Sequence, residues 1–270
     1  SKAGKQLGSA DERDLFPDAL RVVAQIRPKA VMLENVRGFL DAVFHDYRQG
    51  LKRQLSQLGY PRVEWHLYNA SDFGVSQLRP RVVIVALREE FADRFEWPIG
   101  SNTRPLTVGE RLQDLMAARG WRGAGDWARS ADEIAPTIVG GSKKHGGPDL
   151  GPTRARRAWE SLGVNGKTIA DAAPEPDFEG MPRLTVRMVA RLQGFPDTWQ
   201  FAGKKTNSYR QVGNAFPPPV AEAVATNIRA ALTDGFATMV ISTPLQELCA
   251  EMIDMMVHAV KHGASDTPGQ

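Results

Sequence analysis

The stretch Val31-Met32-Leu33-Glu34-Asn35-Val36 places an acid and an amide at the end of an otherwise apolar run. Residues 30–36 are short and nearly all apolar, which predicts a buried strand. Upstream, Leu15, Phe16, Ala19, Leu20, Val22, Val23 and Ile26 recur at helical spacing and Pro28 closes the segment, so residues 14–26 read as an amphipathic helix. Downstream, residues 39–58 read as a second helix ended by Gly59 and Pro61, residues 63–68 alternate as a strand, and "VVIVAL" at 82–87 is a fully apolar strand. Alternation of this kind predicts an α/β sheet with helices on its faces.

With 270 residues the chain has room for a substantial core and a smaller second lobe. It is 42% hydrophobic and 24% charged. No apolar run approaches the ~20 residues that span a bilayer, which excludes a helical membrane protein. No secretory pattern opens the sequence. The single cysteine, Cys249, excludes an internal disulfide framework or a cysteine-rich zinc site and fits a reducing compartment. A cytoplasmic protein without a metal centre is therefore expected. A net charge of +3 and a pI of about 9.1 permit a polyanionic partner without demanding one.

Past Pro98 the alternation stops. Gly, Pro and Trp become frequent and periodicity weakens, so residues 98–182 read as a separate, irregular lobe. Between Gly140 and Arg157, Lys143, Lys144, Arg154, Arg156 and Arg157 stand against only Asp149, as a solvated loop or as a contact for a polyanion. A short helix is expected over 185–192 and a turn at "QGFPDTW". In "YRQVGNAFPPPVAEAV" a Gly-Asn turn and three prolines lead into a helix starting near Val220. Residues 245–260 read as a Met-rich amphipathic helix on whose apolar face Cys249 is a packing thiol.

In an α/β sheet the carboxyl ends of strands line the ligand crevice, and Glu34 and Asn35 sit at such an end. Alone, the acid serves equally as a helix cap or as the partner of a surface arginine. Gln77, Arg79 and Arg81 alternate just before an apolar strand and so share one face. Two adjacent guanidiniums suit an exposed sheet edge, or a phosphate and a carbonyl oxygen in one site.

Taken in order, these blocks resemble the DNA (cytosine-5)-methyltransferase family: "LENV" at 33–36, "NASDFGVSQLRPR" at 69–81, "RLTVRMVARLQGFPDTW" at 183–199 and "YRQVGNAFPPPVAEAV" at 209–224. The resemblance covers about residues 1–232, except for the variable part of the middle lobe. It implies a Rossmann-like S-adenosylmethionine-dependent methyltransferase sheet, incomplete at its N-terminal side, with a smaller DNA-recognition lobe. The implied division is 1–97 for part of the catalytic domain, 98–182 for the target-recognition lobe, 183–232 for the return to the catalytic domain and 233–270 for a helical extension.

The implied chemistry is methylation of cytosine C5 in duplex DNA, of the restriction-modification kind, on a base flipped out of the stack. By this resemblance Glu34 would bond to the cytosine N3 and exocyclic amine, and Arg81 would hold the O2 side. Arg79 would meet backbone phosphate, and Gln77 would support its turn. Asn35 would tie adjacent loops, and Asn214 would border the S-adenosylmethionine pocket. Lys143, Lys144, Arg154, Arg156 and Arg157 would contact DNA. The family's Gly-rich cofactor motif and its Pro-Cys nucleophile block have no counterpart in this sequence. The chain is thus expected to be inactive alone and to leave apolar sheet edges uncovered, as a truncated enzyme or as one half of an enzyme split over two polypeptides, the second supplying those blocks. A non-catalytic DNA-binding relic and an RNA cytosine-5 methyltransferase remain as alternatives.

Overall fold

The computed structural model describes residues 14–101, 103–140 and 148–233. Lys143, Lys144, Cys249 and the helix expected at 245–260 lie outside them.

Helix α1, Phe16–Ile26, carries Pro17 and Asp18 in its first turn, where a missing N–H costs nothing and a negative charge meets the helix dipole. It ends at Arg27, whose φ of 49° is left-handed. Pro28 explains the break, since a residue before proline is driven out of the helical region. Strand β1, Ala30–Val36, follows over the expected residues. The helix expected at 39–58 is shorter than its pattern. Two 3₁₀ turns, Arg37–Leu40 and Ala42–Phe44, precede α2, His45–Gln57. Asp41 is extended between them (ψ 149°), and the carbonyls of Phe39 and Asp41 accept from Arg48 Nη1.

Strands β2, Arg62–Asn69, and β3, Pro80–Leu87, complete a three-stranded sheet of order β1-β3-β2 among the described residues. β3 runs antiparallel to both neighbours, with Val36 opposite Arg81 on one side and Tyr68 opposite Arg81 on the other. β1 and β2 therefore run the same way, with α2 crossing between them. The apolar run 82–87 is explained by position. Val82, Ile84 and Ala86 pack with Val23, Leu51, Leu55 and Tyr60 of the α1/α2 layer. Val83, Val85 and Leu87 pack on the other side with Val220, Val224 and Ala231 of α9, Pro218–Leu232. Every residue of 82–87 is at most 3% exposed, so the central strand has no solvent face on which to alternate.

Residues 98–182 are mostly irregular, as expected, with short helices set among the loops of the described residues. After the short α3, Glu89–Ala92, come α4, Val108–Met116, α5, Ala124–Ser130, and α6, Thr153–Glu160. Their core of Val108, Leu112, Met116, Trp127, Ile138, Leu150 and Trp159 runs on without a break into Met188 and Leu192 of α7, Val186–Leu192, and Tyr209 and Val212 of α8, Lys205–Asn214. Residues 184–212 thus pack on the lobe, and the chain regains the sheet only at α9. Gly213 and Asn214, expected in a turn, are the last two residues of α8.

The weak sequence signal of α4 is offset by its cap. Thr107 Oγ1 accepts from the Glu110 N–H, the Glu110 carboxylate accepts from the Thr107 N–H, and Arg104 grips that carboxylate at 2.7 and 2.8 Å. Thr107→Ala is expected to lower stability by about 1 kcal/mol in denaturant unfolding at neutral pH. The Arg104 bonds hold the Glu110 carboxyl down to about 2. The stabilisation that this carboxylate contributes is present above the ordinary carboxylate range and is lost as pH falls towards about 2.

Candidate active site at the ends of β1 and β3

Glu34 lies two residues from Val36 on the same face of β1, and Val36 is opposite Arg81, so the acid and the guanidinium meet diagonally across the ladder. Arg81 Nε stands 2.6 Å from Glu34 Oε1, with side-chain exposures of 12% and 31% respectively. Arg81 also donates to the Pro80 carbonyl at 2.9 Å. Burial pushes the Glu34 carboxyl above its usual range, against the opposing charges of Arg81 and Arg79. Burial likewise lowers Arg81, with Glu34 opposing. A half-exposed carboxyl with raised proton affinity, oriented by one arginine, can hold or give up a proton to a polar ligand arriving from solvent.

Arg79 does not share that exposure. It is 0% exposed, and its guanidinium donates to the backbone carbonyls of Ile138 at 2.5 Å, Gly213 at 2.8 Å and Ala215 at 2.9 Å. Burial, with Arg81 beside it, lowers this guanidinium to about 9, so it stays charged at neutral pH. In this arrangement Arg79 pins three carbonyls and reaches no surface at which to meet the phosphate expected from sequence. Gln77, also 0% exposed, accepts from the Ile138 N–H at 2.8 Å and donates to Gln193 Oε1 at 2.6 Å. Gln193 in turn donates to the Val212 carbonyl at 2.8 Å. Sequence reading singled out neither Gln193 nor Ile138. The available signal was polarity in the wrong place: Gln193 falls four residues after Val189, on the buried side of α7.

Among the described residues the Asn35 side chain makes only a local bond, its Oδ1 accepting from the Val36 N–H at 2.8 Å. Asn214 is exposed at the end of α8, with no hydrogen bond to its amide among the described residues. It lies against Gly140, where a Cβ would stand 2.3 Å from Asn214 Oδ1. The residue is thus exposed, with its amide oxygen close against Gly140.

Gly213 makes an equally close approach, since a Cβ there would stand 2.5 Å from Gly140 Cα and 2.6 Å from its N. Gly213→Ala is expected to cost about 1–3 kcal/mol in denaturant unfolding, because backbone must move to admit the methyl group. The comparison is Gly125→Ala in α5, where a Cβ would meet nothing nearer than the Arg129 side chain at 3.7 Å. There a gain of about 0.5–1 kcal/mol is expected from helix propensity.

Arg154 and Arg157 are exposed and three residues apart on α6, while Arg156 is half-buried against Gly166. A cavity of about 380 Å³ is lined by Leu106, Glu110, Arg111, Asp114, Arg191, Phe195 and Asp197, and none of the residues expected to act on a base lines it. Among the described residues no group of His, Cys, Asp or Glu is placed to hold a metal ion, and no helix is long and apolar enough to cross a membrane.

Residues 1–230 match the family model described as C-5 cytosine-specific DNA methylase. The chain is 55% identical over 266 residues to the Type II methyltransferase M.NaeI of Lentzea aerocolonigenes, covering 96% of this chain and 64% of that protein. It is 52% identical over 235 residues to the Type II methyltransferase M.NgoMIV of Neisseria gonorrhoeae, covering 86% of this chain and 74% of that one. It thus spans roughly two thirds of the length of these relatives. The fold is similar to that of a prophage-encoded DNA modification methyltransferase of Escherichia coli, with a TM-score of 0.51 at 18% identity, covering 84% of this chain and 76% of that structure. With the ordered blocks, the Glu34–Arg81 pair and these matches in agreement, the chain belongs to the C-5 cytosine-specific DNA methylase family.

Proposed function

We propose that this chain carries the base-activating part of an S-adenosylmethionine-dependent methylation of cytosine C5 in duplex DNA, of the restriction-modification kind. The observation that carries the reading is the Glu34–Arg81 pair, a carboxyl of raised proton affinity held 2.6 Å from a guanidinium at the open end of β1. A flipped cytosine presents N3 and its exocyclic amine to Glu34 and its O2 to Arg81. As a nucleophile adds at C6, negative charge develops on the ring. A carboxyl that shares its proton with N3, and a cation at O2, stabilise that charge more in the transition state than in the ground state.

S-adenosylmethionine supplies the methyl group, and Asn214 would border it. In this reading Arg79 is a positioning residue, held wholly by backbone carbonyls. Residues 98–182 act as the DNA-reading lobe, with Arg154, Arg156 and Arg157 and the neighbouring Lys143 and Lys144 neutralising phosphates. The attacking thiol and the glycine-rich cofactor turn are contributed by residues other than these 270, on the same or a second polypeptide, and the assembly works in the cytoplasm.

The experiment is methyl transfer from labelled S-adenosylmethionine. The purified chain is offered duplex DNA and transfer RNA, alone and with a polypeptide carrying the Gly-rich and Pro-Cys blocks. Label on cytosine in DNA, in the mixture only, is the expected result. Label only on transfer RNA would move the substrate to RNA, and retained DNA binding without label would make the chain a non-catalytic binder.

A further inference from the structure

We infer that Gln193 is a positioning residue that locks the DNA-reading lobe to the strand bearing Arg81, acting through Gln77 and Arg79. The inference rests on the proposed reading of Glu34 and Arg81 as the base-activating pair.

The approach to β3 is where lobe and sheet join. The Ala135 N–H donates to the Ser76 carbonyl at 2.9 Å and the Leu78 N–H to the Ala135 carbonyl at 2.8 Å, so a short extended piece of the lobe pairs with the residues just before Arg79. Thr137 Oγ1 donates to the Leu78 carbonyl. Two side-chain amides fix the register of this pairing. Gln77 reaches the Ile138 N–H with its oxygen and Gln193 with its nitrogen, and Gln193 reaches the Val212 carbonyl with its own nitrogen. Each of the four amide atoms therefore has a partner, and both residues are 0% exposed.

An amide is not symmetric, since one end accepts and the other donates, so only one arrangement satisfies the chain. Apolar neighbours such as Met188, Leu192 and Ile138 pack almost as well after a small slide, whereas a slide here would leave buried polar atoms unpaired. Ile138 then passes the constraint on. Its N–H is held by Gln77, its carbonyl by Arg79, and Arg79 is two residues from Arg81. A shift of the lobe is thereby a shift of the guanidinium that orients Glu34.

The test uses the chain mixed with the polypeptide carrying the Gly-rich and Pro-Cys blocks, with Gln193→Met, which keeps length and removes both hydrogen bonds. Amide hydrogen exchange at Ile138 is expected to accelerate, while exchange at Ile84 in the middle of β3 stays unchanged and certifies the fold. In the same variant kcat is expected to fall about 10- to 100-fold with the dissociation constant for cognate duplex within about threefold, the pattern of a misplaced group rather than a lost contact. Gln193→Asn, which keeps the amide but withdraws it by one methylene, should move both readouts the same way by less.

Unaltered Ile138 exchange overturns the inference. So does a variant that only melts earlier while kcat at a temperature well below melting is unchanged, because a purely structural role predicts that. If instead Glu34→Gln transfers methyl groups as fast as the parent, it is the reading of Glu34 and Arg81 that fails, and the inference falls with it. Full activity of Gln193→Met beside a crippled Glu34→Gln sinks the Gln193 assignment alone.

Discussion

Glu34→Gln is expected to cut methyl transfer to cytosine by about 100-fold or more, with duplex affinity changed by less than about threefold. Glutamine preserves the shape of the side chain and an oxygen acceptor for Arg81 Nε, so the 2.6 Å contact and the strand ladder persist. What it removes is the titratable proton. Burial raises the Glu34 carboxyl, which makes it a better donor to a ring nitrogen than an exposed acid would be, and Arg81 keeps it aimed. The measurement is kcat and the dissociation constant side by side, in the presence of the segment that supplies the thiol. A variant within about threefold of the parent in kcat would remove Glu34 from the chemistry.

Stability gives an independent check with a definite sign. Because the folded carboxyl holds its proton more tightly than the unfolded one, its contribution is fully present below the ordinary carboxylate range and declines as pH rises through the raised folded value. Glutamine does not titrate. Melting of Glu34→Gln relative to the parent should therefore improve as pH rises through that window and level off above it.

Arg79→Met is expected to be the most destabilising single change in the sheet-lobe junction, at about 3–5 kcal/mol in denaturant unfolding. Methionine fills much of the volume but leaves the carbonyls of Ile138, Gly213 and Ala215 without a donor in a buried setting. The orphaned Nε of Arg79 is a small offset, since its removal relieves one buried unpaired donor. Arg79→Lys should lose less, because a single ammonium retains the charge yet cannot span three carbonyls. The alternative role, a phosphate contact, predicts a different signature. Stability would then change by less than about 0.5 kcal/mol, and the salt dependence of DNA binding would shallow by about one unit of slope.

Glu34 and Arg79 also mark where the sequence suffices and where it does not. The three strands and α1 were legible because each rests on local periodicity or an uninterrupted apolar run, and β1 falls on its expected residues. The order of short blocks was legible too, and it fixed the family. Helices α4, α5 and α6 were not, because each is only 7–9 residues long and stands between Gly- and Pro-rich loops. They form because a cap at Thr107, close backbone approach at Gly109 and burial of Trp127 and Trp159 offset the cost of nucleating so short a helix.

The sequence by itself determined that an acid and two arginines stand at strand ends on a sheet of this type, since alternation puts Gln77, Arg79 and Arg81 on one face whatever the rest of the chain does. Only the tertiary structure decided their different fates. Arg81 faces Glu34 near solvent, while Arg79 and Gln77 are covered by residues 135–138 and by the ends of α7 and α8, through hydrogen bonds that join residues 59 to 136 positions apart. Which neighbour covers a side chain is set by long-range packing, and covering is what leaves one guanidinium beside Glu34 near solvent and makes the other a brace for backbone carbonyls.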